Sequence, residues 1–192
     1  MAAMNVRDEQ TKMLKELLAE VEPPELGPGP RPGVKSPSQL ESLLKTRLAT
    51  APTSAAARDL ICALVLLWHD HLDAAHQLAQ AVENADGSLV HAIMHRREPD
   101  YWNSKYWWRR VGQHPCFPEL ARRVADLLKT RGDRELASKL IPDGEWDAAA
   151  LVEACQAAAG LLPADDRVNL LREIQRLETE VALEYFLGQK GD

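Results

Sequence analysis

The chemistry-bearing residues of this 192-residue chain are concentrated in its middle. All six histidines lie between His69 and His114. At about 100° per residue on a helix, His69, Asp73, His76, Gln80 and Glu83 form one stripe, and His91, His95 and Glu98 recur at i, i+4 and i+7 on the next segment. Two imidazoles four residues apart on one face can bind a divalent metal such as zinc. Glu98 or His76 would then be a third ligand, leaving an open position to activate water. The metal reading is therefore a small hydrolase using His76, His91, His95 and Glu98. Histidines beside a core also serve as hydrogen-bonded packing residues, and no Glu follows His91 directly as it does in metalloprotease helices.

A second cluster follows. Tyr101, Trp102, Tyr106, Trp107 and Trp108 are five of the ten aromatic residues, interleaved with Lys105, Arg109 and Arg110 and preceded by Arg96-Arg97. Rings beside guanidinium groups suit a flat or anionic ligand. The expected ligand contacts are His76, His91, His95, Arg96, Arg97, Asn103, Lys105, Arg109 and Arg110. Packing between helices is the competing role for the large rings. Cys116 follows His114-Pro115 in a loop, but no base is placed beside it by spacing. Gly-rich phosphate loops, dinucleotide fingerprints and nucleophile elbows are absent.

The elements that must position these residues read as helices throughout. Val6 to Val21 carries apolar residues at helical spacing. Nine of the next fifteen residues, Pro23 to Pro37, are Pro or Gly, which predicts an extended linker and a tethered first helix. Ser36-Pro37-Ser38-Gln39 is a capping-box start. Helical pattern then runs to about Thr50, from Ala55 to about Asn84, from Leu89 to Arg97, and from Asp100 to a stop at Gly112. Further helices are expected over 119–131, 134–140, 146–159 and 165–187. No period-two strand is evident, so the fold class is all-α, with one domain from 38 to 187 and a tail from 188 to 192.

The chain also aligns with itself at an offset of 29 residues: Leu60 on Leu89, Ile61 on Val90, Ala63 on Ala92, Leu72 on Tyr101 and Val82 on Val111. This splits the 55–84 stretch near His69-Asp70 and makes Asp70 the counterpart of Pro99. Gly132-Asp133-Arg134 reads as the turn of a third unit. The phrases LVLLWHDHLDAAHQLAQAVE and AIMHRREPDYWNSKYWWRRVGQHP resemble tetratricopeptide-type repeats, over roughly residues 55 to 140. The period is shorter than the family's ~34 residues. The likeness implies stacked antiparallel helical hairpins, closed by C-terminal capping helices, with a face that binds a peptide. HRREPDYWNSKYWWRR also resembles a group of uncharacterised bacterial and fungal proteins, which implies no function. The His69-Asp70 doublet is similar to that of HD-type metal-dependent phosphohydrolases, without their upstream ligand histidine.

Composition narrows the partners. Net charge is −6 and the pI about 5.6, against general nucleic-acid binding. The charge is uneven, because residues 91 to 134 hold ten Lys or Arg and five Asp or Glu, a local +5. Three dispersed cysteines, a polar N-terminus and no long apolar run predict a cytoplasmic protein. The leading reading is a binding or adaptor module for a peptide or anionic ligand, without a cofactor. The oligomeric state is not encoded in any of these features.

Overall fold

The computed structural model describes residues 6–190. Within them are ten α-helices and no strand. They are α1 (Val6–Ala19), α2 (Pro37–Arg47), α3 (Ala55–Trp68), α4 (Leu72–Gln80), α5 (Ala85–Arg97), α6 (Tyr101–Val111), α7 (Phe117–Arg131), α8 (Arg134–Leu140), α9 (Ala148–Ala158) and α10 (Asp166–Leu187). The all-α expectation is met. No helix among the described residues is long and apolar enough to cross a membrane.

Local chemistry sets most boundaries. Ser36 and Gln39 close the expected capping box on α2, and Asp100, Asp133, Asp147 and Asp165 each cap the helix that follows them. α5 begins four residues earlier than its apolar pattern. Asn84 accepts from the Gly87 N–H and starts the helix at Ala85, so 85–88 is the first turn of α5 and not a separate loop. Gly87 is required there, because a Cβ would lie 1.9 Å from the Val82 carbonyl oxygen. The 29-residue offset survives in the turns. The His71 N–H bonds to Leu66 O, and the Asp100 N–H to His95 O, the same six-residue closure in both hairpins. The α7–α8 turn repeats it, from Asp133 N–H to Leu128 O.

α5 is the central helix. Every residue from Gly87 to Arg97 is buried, the condition of a helix enclosed on all sides. It packs on α3, α4 and α6, while α10 packs on α1, α3, α7 and α9. Enclosure reaches even Arg96 and Arg97, at 0% and 1% exposed. Arg96 forms a two-pronged pair with Glu178 of α10. Arg97 turns the other way and donates to Asp70 Oδ1 at 2.6 Å, to Gly27 O at 3.0 Å and to Leu67 O.

The N-terminal region differs from a tethered helix on a free linker. Leu14, Leu17, Leu18 and Leu26 belong to the one core, and Trp68 donates its indole N–H to Leu18 O at 2.9 Å. The Pro/Gly-rich segment is a strap laid across the α3–α4 turn. Arg31 donates to Asp70 Oδ2 through its backbone N–H (2.9 Å) and Nε (2.8 Å), and also bonds Trp68 O and Glu22 O. Lys35 N–H donates to His69 Nδ1, and His71 Nε2 to Lys35 O at 2.6 Å. Gly29 lies so close to Asp70 that a Cβ would be 2.6 Å from its carboxyl carbon. The strap has few N–H donors of its own, so it is held by donors from the body. Arg172 and Gln175 of α10 take the carbonyls of Pro23, Pro24 and Glu25.

Asp70 is therefore an anion shared by two arginines. Burial works to raise its pKa, but the bonds from Arg31 and Arg97 outweigh that and hold it below the ordinary carboxylate value. Asp70→Asn leaves two guanidinium groups without a counter-charge. A loss of about 3–5 kcal/mol of unfolding free energy is expected, with faster tryptic cleavage after Lys35. Unchanged stability and cleavage would show that Asp70 does not hold the strap.

His69, fully buried, adds a pH dependence. Burial first, then Arg31, His71 and Lys35, lower its pKa to about 4, against the opposing pull of Asp70. The unfolded value is about 6.5, so as pH falls the unfolded chain takes up this proton first. The contribution is complete above about pH 6.5 and is lost toward pH 4. Melting temperatures at pH 7.5 and 4.5 test this. His69→Asn, which keeps an acceptor for Lys35, should show the smaller drop, and an equal drop removes His69 as the cause.

Candidate functional site

The α4–α5 and α5–α6 packings bring together three histidines from the first cluster. His76 of α4 lies 4.9 Å from His91 and 5.9 Å from His95 between ring centroids, and His91 and His95 are 6.2 Å apart. The i, i+4 spacing puts His91 and His95 on one face of α5, and the short turn between helices brings His76 level with them. Asn103 and Trp107 of α6 close the same face.

Each α5 imidazole is already engaged. His91 Nδ1 bonds Gly87 O at 3.1 Å, and the ring stacks on Trp107 at 4.1 Å with 12° between planes. Burial chiefly lowers its pKa, aided by His76, His95 and Arg110 and opposed by the Gly87 bond. His95 Nδ1 meets Glu98 Oε2 at 2.9 Å, and Asn103 Nδ2 lies 3.1 Å from His95 Nε2. Since the Asn103 amide donates, Nε2 accepts, and Nδ1–H donates to Glu98. Among the described residues, no group of three or more His, Cys, Asp or Glu could hold a metal ion. The two α5 rings are 21° from parallel.

The aromatic residues extend this face to the surface. Trp102 is 74% exposed and Tyr106 38%. Their rings are 6.3 Å apart and 12° from parallel. Tyr106 meets Trp107 edge-on at 5.5 Å. The Arg110 guanidinium lies 6.0 Å from the Tyr106 ring and 5.3 Å from the Trp107 ring. Rings thus run without a break from solvent at Trp102, through Tyr106, Trp107 and His91, to His76.

Several expected contacts lie elsewhere. Arg96 and Arg97 are not ligand contacts at a surface: both are buried, and Glu178 and Asp70 take their charge. Lys105 faces α9 and pairs with Glu153 at 3.0 Å. Arg109 lines a different cavity, beside Trp108 and Trp146. The His69-Asp70 doublet forms the α3–α4 turn and holds the strap. His76, His91, His95, Glu98, Asn103 and Arg110 are the members that share one face.

Spacing alone did not reveal the partner of Cys116. His114 Nδ1 accepts from the Cys116 thiol at 3.0 Å and from its backbone N–H at 3.3 Å, so Nε2–H donates to Asp86 Oδ1 at 2.8 Å. Asp86 lies in the first turn of α5, 28 residues earlier. A thiol, an imidazole and a carboxylate in series is the connectivity of a cysteine nucleophile. Here the thiol is held neutral: burial first, then the charges of Glu178 and Asp86, push it up to about 12.

No family model matches the chain, and neither a curated protein nor a solved structure is significantly similar to it.

With its thiol buried and held neutral, the Cys116 relay is expected to act in packing. In the native protein at pH 8, Cys116 should be alkylated by iodoacetamide far more slowly than free cysteine. His114→Ala should speed its labelling and cost about 1–3 kcal/mol, since Asp86 and the thiol both lose a partner. Labelling of native Cys116 at the rate of a free thiol or faster would instead mark an activated nucleophile.

Proposed function

We propose that the chain is a binding module whose α4–α5–α6 face takes an acidic peptide. The observation that carries this is the exposed, parallel Trp102–Tyr106 pair with Arg110 beside it. A tryptophan three-quarters in solvent on a rigid helix contributes nothing to its own core. Stacked rings with an adjacent guanidinium give apolar contact area and an anion partner at once. Trp and Arg are also the side chains that most often dominate binding free energy. His76, His91, His95 and Asn103 continue the face with polar groups held by neighbours, which suits recognition without reorganisation.

The hairpins α3–α4, α5–α6 and α7–α8, closed by equivalent turns, support the reading of a short tetratricopeptide-like stack. In such a stack a peptide lies along helix faces presented by successive units. Of the Lys and Arg in residues 91–134, Arg110 stands on this face and supplies the anion contact beside the rings.

A pooled set of acidic, leucine-containing nonapeptides tests the proposal by tryptophan fluorescence and anisotropy. Saturable binding that weakens with added salt is expected. Trp102→Ala and Arg110→Ala should each reduce affinity about tenfold, roughly 1.4 kcal/mol, with circular dichroism unchanged. No saturable binding, or binding indifferent to both substitutions, would overturn the assignment.

A further inference from the structure

Trp102, Tyr106 and Arg110 stand at i, i+4 and i+8 on α6, so they form one row along the helix. The Trp102 and Tyr106 ring centres are 6.3 Å apart, and the Arg110 guanidinium carbon is 6.0 Å from the Tyr106 ring. These steps match the rise of four helical residues, about 6 Å. All three side chains belong to exposed residues. Among the described residues Arg110 meets no carboxylate, and its hydrogen bond goes to the Tyr106 hydroxyl at 3.5 Å.

The two ends of the row differ in charge. Glu98 and Asp100 are exposed beside its Trp102 end, and Arg110 lies in the last turn of α6 at the other. About 12 Å of helix separates Trp102 from Arg110. An anionic group is therefore drawn to one end and repelled from the other. The row also has a period that an extended chain shares. Side chains on one side of a strand repeat every two residues, about 6.6 Å. Three alternate residues thus stand over the three rungs, with a drift of about half an ångström per rung. A helical ligand buries a broader stripe, with anchors at i, i+3 and i+4, and needs a groove to receive it. A single row of side chains is matched by a chain one residue wide.

We infer that, among acidic peptides, this face selects an extended segment with the alternating pattern apolar-x-apolar-x-acid. The apolar side chains lie on Trp102 and Tyr106, and the carboxylate takes the fork of Arg110. The intervening residues point away from the face and carry no selectivity. A basic residue beyond the apolar end faces Glu98 and Asp100. This rests on the binding role proposed for the same face, and adds register, conformation and polarity to it.

The test titrates the full chain with blocked nonapeptides, read by tryptophan fluorescence and by the Trp102 indole N–H resonance. Leu-Ser-Leu-Ser-Glu and its reversal, flanked by glycines, keep the alternation in the two chain directions. Leu-Leu-Ser-Ser-Glu in the same flanks breaks it, and Leu-Ala-Ala-Ala-Leu-Ala-Ala-Ala-Glu has helical spacing. One of the two alternating peptides should bind at least tenfold tighter than the adjacent and the helical-spaced ones, and should shift the Trp102 signal. Arg110→Glu should remove that preference and transfer it to the peptide with Lys in place of Glu. Extending the better peptide past its apolar end with Ser-Lys should strengthen binding and with Ser-Glu weaken it, a difference that Glu98→Gln reduces. Equal affinity for the alternating and adjacent patterns, with binding still lost in Trp102→Ala, overturns the register and leaves the binding role standing. Binding of the acidic nonapeptide pool but of none of these peptides does the same. Preference for the helical spacing, or no transfer to the Lys peptide in Arg110→Glu, also overturns the inference. Failure of every peptide, the pool included, removes the binding role and the register with it.

Discussion

Everything in this molecule is arranged around two consecutive buried guanidinium groups. Arg96 and Arg97 are about 100° apart on α5, so they reach in different directions. Arg96 fastens α5 to α10 through Glu178, and Arg97 fastens it to the α3–α4 turn and the strap through Asp70. Removing such charges from water costs several kcal/mol per ion, and the pairing roughly offsets that cost, so the pairs add little net stability. Their effect is on geometry. An α5 rotated or shifted by one residue would leave an arginine buried without a partner. The two bonds therefore fix the rotation of α5, and with it the side on which His91 and His95 emerge toward α4 and α6.

The strap follows the same logic. A segment rich in proline and glycine has few donors and, through its glycines, much conformational freedom to lose. Few cross-chain bonds can start from its own N–H groups. Order is imposed from outside, by Arg97, Arg172 and Gln175 placed on its carbonyls, and by the strap's own Arg31 reaching Asp70 and Trp68 O of the body. Proline reduces the freedom of the unfolded chain at the same positions, which lowers what ordering costs. A composition that reads as a flexible linker is thereby compatible with a fixed structure, provided that the body supplies buried donors.

This divides what was legible in the sequence from what was not. The helices, the Ser36 capping box, the stop at Gly112 and the split at His69-Asp70 all depend on residues within a few positions of one another, and local chemistry is readable. The 29-residue offset was readable for the same reason, since each turn closes on its own helix. The proximity of His76 to His95 followed from a short turn and the helical period. The fates of Arg96 and Arg97 did not follow, because Glu178 is 82 residues away from the first and Asp70 lies 27 before the second. By pattern alone an arginine doublet at a helix end is a solvated, dipole-favoured pair. The one local signal was the helix itself: α5 has apolar residues around much of its circumference, and a helix enclosed on all sides must bury its charges too.

The imidazole face can be judged by the same accounting of donors and acceptors. A histidine that ligates a metal or takes a proton needs a free lone pair. On His95 that lone pair is occupied by the Asn103 amide, and its proton is given to Glu98. His91 gives its Nδ1 proton to Gly87 O and its ring face to Trp107. Both rings are therefore fixed in orientation and in tautomer, and His95 has no free nitrogen. Such groups are poor reagents and good walls. They present set shapes and polarities, and the part of the same face that remains unsatisfied is the exposed aromatic pair beside Arg110. The physical contrast between engaged imidazoles and unengaged rings is the basis of the proposed recognition role of this side of α6.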